Sequence, residues 1–167
     1  PVFGTMAHSY IQAHDSEAQA FTDFANAFGQ KTVFLIDTYD TENGARILCS
    51  LRDAFQRRGI DFGGVRLDSG DLANHAFEVR KILDDGGLLK TKIFASGGLD
   101  EYAIATLNER GAPVDGFGVG TALGTSADAP YLDCSYKLQE YAGRAKRKRS
   151  EGKATWPGRK PVSYTHL

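Results

Sequence analysis

The chain has 167 residues, of which 41% are hydrophobic and 25% charged, with a formal net charge of −1. That balance excludes disordered and fibrous chains, and every apolar run falls short of the roughly 18 residues that a membrane-spanning helix needs. The length suits one ordinary domain with a sizeable core.

In chain order, short β-branched or aromatic runs alternate with longer segments of helical period, the pattern of βαβ units around a parallel sheet. Pro1 to Phe3 is the first strand candidate, followed by the small-residue turn Gly4-Thr5 and by His8. A start at Pro1, with Met6 inside a strand exit, is expected of a piece of a longer protein, so the lack of a leader carries no weight. In SEAQAFTDFANAFG, Ser16 and Gln19 make a capping box, Phe21, Phe24 and Phe28 recur at helical spacing, and Gly29 supplies the stop. Thr32 to Ile36 is the second strand. A helix from about Thr41 to Arg58 follows, with Ile47, Leu51, Ala54 and Phe55 on one stripe and Gly59 after it. Gly64 to Leu67 is the next strand, and Leu72 to about Asp85, carrying Ala76, Val79 and Leu83 and ending at Gly86, the next helix. Lys92 to Ala95, a helix near Asp100 to Arg110 stopped by Gly111, and the strand Val114 to Val119 complete the alternation. Cys49 and Cys134 make no CxxC or metal spacing and suit reduced thiols in the cytoplasm.

GTMAHS, IDTYDT, RLDSGD, ASGGLD and GVGTALGTS each sit just after a strand. In (β/α) barrels and open parallel sheets, the carboxyl ends of the strands converge and hold the chemistry. Gly, Asp, Ser and Thr also serve as plain turn and cap residues; what points to a site is five such loops on one rim, with combinations such as Arg66-Leu67-Asp68-Ser69-Gly70-Asp71.

Ser96-Gly97-Gly98 and Gly118-Val119-Gly120-Thr121 offer bare backbone N–H groups near helix starts, with Thr125 and Ser126 beyond, which suits a phosphate. Asp37 and Asp40 bracket Thr38-Tyr39, and Asp68 and Asp71 bracket Ser69-Gly70. Such carboxylates fit hydrated Mg2+, ribose hydroxyls, or the orientation of a histidine and the balance of an arginine. Arg66 supplies a planar cation for a carboxylate or phosphate, or else pairs internally with Asp68. His8, with one nitrogen fixed and Asp37 on the next strand exit, could attack or shuttle a proton through the other. His14, His75 and His166 read as capping or packing residues.

GTMAHSY, LIDTYDT, RLDSGDL, ASGGLDE and GVGTALGTSADAPYLDCSYKLQEYAG resemble the nicotinate phosphoribosyltransferase family, from Pro1 to about Pro161 and in the family's order and spacing. The resemblance implies ATP-assisted joining of nicotinate to phosphoribosyl pyrophosphate, giving nicotinate mononucleotide and pyrophosphate on the way to NAD. It implies that His8 is phosphorylated, Asp37 orients or balances it, Arg66 meets the pyridine, and Asp68, with Ser69 and Asp71 nearby, supports ribose or metal-bound pyrophosphate. Ser96, Gly97, Gly98, Gly118, Gly120 and Thr121 would cradle the 5′-phosphate. Mg2+ is implied on the substrate pyrophosphate near Asp37 or Asp68, with no direct protein ligand. The implied fold is an irregular α/β barrel of the type II phosphoribosyltransferase kind, present here in part, with a second domain closing the site and a homodimer as the complete assembly. An N-terminal part carrying an aromatic partner for the pyridine lies outside this sequence, so this stretch alone is expected to be inactive.

The division expected is a partial barrel over 1–135, a basic β-hairpin extension over 136–161, and a non-native tail, VSYTHL, over 162–167. RAKRKRSEGKATWPGRK reads as the family's charged hairpin or a solvated face; a nucleic-acid module, with Trp156 free to stack, is the non-enzyme alternative. Quinolinate phosphoribosyltransferase is the alternative enzyme, which would need more cations than Arg66. A generic phosphate-binding barrel is another, which would need a rim lysine or glutamate base. Neither nucleic acid nor membrane is an expected partner.

Overall fold

The structure is a computed structural model that describes residues 6–29, 32–126, 128, 132, 135–158 and 160. The Pro1 to Phe3 strand, Gly4, Thr5, Cys134 and the 162–167 tail lie outside the described residues. Four parallel strands, β1 (Thr32–Leu35), β2 (Phe62–Leu67), β3 (Lys92–Ser96) and β4 (Gly116–Gly118), pair in sequence order. Between them run α3 (Thr41–Gln56), α4 (Leu72–Asp85) and α5 (Glu101–Glu109); α1 (His8–Ala13) and α2 (Glu17–Phe28) precede the sheet and α6 (Thr121–Gly124) follows it. Consecutive pairing of parallel strands through helical crossovers is the singly wound arrangement that the alternating pattern predicts.

The helices are signed at their starts. Ser16, Asp40, Asp71 and Asp100 each accept a hydrogen bond from the backbone N–H three residues on, at α2, α3, α4 and α5. The capping box at Ser16 is only half formed, because the Gln19 amide reaches the Asp23 carboxylate 2.9 Å away. Phe21 and Phe24 are buried in the core as the spacing predicts, whereas Phe28 is 66% exposed, its ring against Phe24.

Strand periodicity and register divide the sheet into two faces. Phe34, Val65, Leu67 and Ile93 point towards the helices and are buried with Phe21, Leu48, Phe55, Val79 and Leu83, while Ala95 on the same face is buried with Ala73, Leu99 and Leu107. Burial of one such large apolar side chain is worth about 1.5–3 kcal/mol, so this face holds the fold. On the other face, Leu35, Arg66 and Phe94 are register partners, and the next position along each strand is Asp37, Asp68 or Ser96. The alternation thus places the chemistry-bearing side chains on one face, at the carboxyl end.

Beyond β4, β5 (Glu140–Tyr141) and β6 (Arg144–Ala145) make a short antiparallel ladder with all four residues exposed. The chain then turns back as a strap, 146–158, onto the exit of β1. Arg149 N–H donates to Thr38 O at 2.9 Å, Ser150 Oγ donates to Asp37 O, and Lys148 and Ser150 are 2% and 3% exposed. Arg144, Arg147, Arg149 and Lys160 face solvent, as a solvated basic face would, but the strap's backbone is bonded into the rim, and Lys148 goes under with it.

Candidate active site

His8 opens α1, directly after the described stretch Met6-Ala7, and its ring lies over the exits of β1 and β2. Its Nδ1 is 3.0 Å from Thr38 Oγ1. Nε2 lies 3.6 Å from Asp68 Oδ2 and 3.9 Å from Asp37 Oδ1; it is buried and has no hydrogen-bond partner among the described residues. In the tautomer protonated at Nδ1, Thr38 accepts that proton and Nε2 presents a lone pair. The hydrogen bond that fixes the His8 ring comes from Thr38, with the Asp37 carboxylate, expected to orient or balance it, beside Nε2.

Asp37 does a different job. Its Oδ2 accepts from the Asp68 N–H at 3.1 Å and from Ser69 Oγ, so this buried carboxylate ties the loop after β2 to the exit of β1. Its Oδ1 is buried without a hydrogen-bond partner among the described residues. Asp68 accepts from Ser96 Oγ at 2.7 Å and from Lys153 Nζ at 3.1 Å, and Lys153 also donates to the Asp68 carbonyl. Burial would raise the Asp68 carboxyl, but the nearby His8 imidazole, the hydrogen bonds from Ser96 and Lys153, and the lysine's charge hold it well below the usual carboxylate range. Asp68 is thus a fixed anion between an imidazole and an ammonium.

Arg66 does not take Asp68. Its Nη2 donates to Met6 O at 3.1 Å, and its buried Nε lacks a hydrogen-bond partner among the described residues, leaving a donor on the site face. The two glycine loops meet, because Ser96 and Gly118 are register partners at the ends of β3 and β4. Gly97, at φ +98°, is required by close approach as well as by conformation: a Cβ there would collide with the Asp68 carbonyl and sit 2.8 Å from Lys153 Nζ. Gly98 and Gly120 face open space, and Thr121 begins α6. Asp71 is not brought to the His8 group; it caps α4 and pairs with Arg110 at 3.0 Å.

The site also contains residues that the motifs did not mark. Lys148 is driven below the usual lysine range by burial, against the pull of Asp37 and Asp68 and helped by the like charges of Lys137 and Lys153. A cavity of about 180 Å³ is lined by His8, Gln12, Tyr136, Lys137 and Lys148 among others. The Gln12 amide, 3% exposed, has an Nε2 with no hydrogen-bond partner among the described residues. A larger cleft of about 290 Å³ lies at the other end of the strands, against Ile60, Leu88 and Thr91, away from this chemistry. Gln12 carries no sequence signal beyond its place one helical turn after His8. Lys148, Ser150 and Lys153 lay in a charge run that has no period to read.

No group of three or more His, Cys, Asp or Glu side chains among the described residues could hold a metal ion. Asp37 Oδ2 and both Asp68 oxygens are already engaged by protein donors, so the described residues do not build a cage for Mg2+. No helix among the described residues is long and apolar enough to cross a membrane.

Residues 1–155 match the nicotinate phosphoribosyltransferase (NAPRTase) family. The chain is 49% identical over 162 residues to nicotinate phosphoribosyltransferase pncB2 of Mycobacterium tuberculosis, covering 97% of this chain and 35% of that protein. It is 43% identical to the nicotinate phosphoribosyltransferase of Bacillus subtilis, covering 97% of this chain and 34% of the relative. The chain therefore spans about a third of the length of these curated relatives. Among solved structures, the nicotinate phosphoribosyltransferase of Vibrio cholerae superposes with a TM-score of 0.67 at 24% identity, over 92% of this chain and 40% of that one. The nicotinate-nucleotide pyrophosphorylase of Pyrococcus furiosus superposes with a TM-score of 0.58 at 29% identity, over 93% and 38%.

Proposed function

The chain belongs to the nicotinate phosphoribosyltransferase family, and on that premise we propose that the complete protein joins nicotinate to the ribose of phosphoribosyl pyrophosphate with the help of ATP. The observation that carries the reading is His8: Nδ1 is held by Thr38, and Nε2 is buried beside Asp68 with no hydrogen-bond partner among the described residues, on the rim that bears both glycine loops. The family does not favour the quinolinate enzyme, a generic phosphate-binding barrel or a nucleic-acid module. The parallel sheet would be part of the family's irregular barrel, completed by a closing domain and, in the assembly, by a second subunit. The soluble, cytoplasmic setting expected from the sequence belongs to the same reading.

Each residue then has a job. His8 Nε2 attacks the γ-phosphorus of ATP, forming the N–P bond as the P–O bond to departing ADP breaks; Thr38 keeps the ring aligned by holding Nδ1. Asp68 offsets the positive charge that develops on the imidazole. Gly97, Gly98, Gly118, Gly120 and Thr121 receive the 5′-phosphate on backbone N–H groups, with the Ser96 hydroxyl beside them. Arg66 offers its unbonded N–H to the pyridine carboxylate. Lys153, and Lys148 when protonated, face the charge that accumulates on the leaving pyrophosphate, where a pre-positioned cation helps most. Mg2+ would enter on the pyrophosphate and add charge neutralisation there. The test is incorporation of γ-labelled phosphate into the complete protein. Wild type should be labelled and His8→Ala, folded as judged by circular dichroism, should not; equal labelling of the variant would sink the role of His8.

A further inference from the structure

His75, which the sequence reads as a packing residue, sits where three separate segments meet. Its Nδ1 is 2.6 Å from Glu42 Oε1 in the first turn of α3, and its Nε2 is 3.2 Å from Glu151 Oε2 in the strap. The loop after β2 passes beneath the same contact: a Cβ on Gly70 would lie 2.6 Å from both His75 Nε2 and Glu151 Oε2. Glu151 follows Ser150, bonded to the Asp37 carbonyl, and precedes by two residues Lys153, bonded to Asp68. Glu151 is 68% exposed, so nothing else in its surroundings fixes it by burial.

We infer that His75 is a positioning residue, a latch on Glu151 that keeps the strap on the rim and so holds Lys153 against Asp68. The imidazolium donates to both carboxylates at once and the neutral ring to one only, so the latch closes on protonation. The titratable groups facing the ring are Glu42 from α3 and Glu151 from the strap; Asp71, at the start of its own helix, is occupied by Arg110. Burial would lower the proton affinity of His75, but the bonds and charges of Glu42 and Glu151 outweigh it and raise the affinity above the ordinary histidine value. A raised histidine contributes stability that is complete below its unfolded value and is lost as pH climbs through the folded one. The strap is therefore tightest on the acid side and loosens as His75 deprotonates.

Two readouts on the complete protein test this, and only the kinetic one rests on the phosphoribosyl-transfer reading. The first is amide hydrogen exchange at Arg149, Lys153 and Thr155, whose N–H groups bond Thr38, Ser150 and Lys148 carbonyls, corrected for intrinsic rates at about pH 6 and about pH 8.5. Wild-type protection should fall roughly two- to fivefold between them, the range of an exposed ion pair. His75→Gln and Glu151→Gln should show the low value at both, with the exchange of α3 and β2 unchanged. The second is the pH profile of steady-state turnover: kcat/KM for phosphoribosyl pyrophosphate should show an extra fall on the alkaline side in wild type that His75→Gln and Glu151→Gln lack. A wild-type strap whose protection ignores pH, or variants that exchange like wild type, would overturn the latch. The expected exchange without turnover supports the latch and counts against the transferase reading instead.

Discussion

The strand-end rim and the strap carry the same kinds of polar residue, yet they are built in opposite ways. In the rim, Asp37, Asp68 and Ser96 are placed by the pleat of a buried parallel sheet, whose other face holds Phe34, Leu67 and Ile93 at 0% exposure. In the strap, Arg149, Ser150 and Lys153 are placed by a few hydrogen bonds to the Thr38, Asp37 and Asp68 carbonyls, with no strand of their own. A rim position is thus fixed by the core; a strap position depends on the rim that receives it.

Substitutions can separate the two regions. The largest effect is expected at Gly97, where they touch. Gly97→Ala combines a φ of +98° with a collision against the Asp68 backbone, and urea unfolding should show a loss of about 3 kcal/mol or more. Glu17 tests the rim alone. Burial, with the charges of Asp40 and Asp37, raises its carboxyl to about 7. An unfolded glutamate titrates near ~4.3, so the folded state binds the extra proton between these values and loses stability as pH climbs through that window. Glu17→Gln should therefore be more stable than wild type by roughly 1–3 kcal/mol at about pH 8, the difference vanishing near pH ~4. The smallest change belongs to the strap. Burial lowers the proton affinity of Lys148, so folding works against its charge. Lys148→Met should leave urea stability at about pH 7 equal to wild type or up to about 1 kcal/mol higher. A large loss there would mean that the ammonium holds the strap down.

What was legible in the sequence follows the same division. The αβ alternation, the cap at Ser16 and the helix starts near Thr41, Leu72 and Asp100 are local or periodic features, and the structure places them within a few residues of expectation. Strand period puts Asp37 on the site face, where its Oδ1 lies 3.9 Å from His8 Nε2, but only the turn after β1 reveals that Thr38 reaches Nδ1. His75 and the lysines of the strap escaped because their partners, Glu42 and Asp68, are 33 and 85 positions away, and a run of lysine and arginine has no register to announce a dock.

The central claim is that rim and strap form one site, and the most direct measurement is nicotinate mononucleotide formation by the complete protein and its Lys153→Met variant, with saturating ATP. If Lys153 meets the leaving pyrophosphate, turnover should fall roughly 10²-fold, the scale of removing one pre-positioned charge from a developing anion. Turnover equal to wild type in a folded Lys153→Met protein would contradict the account and return the strap to the surface of the molecule.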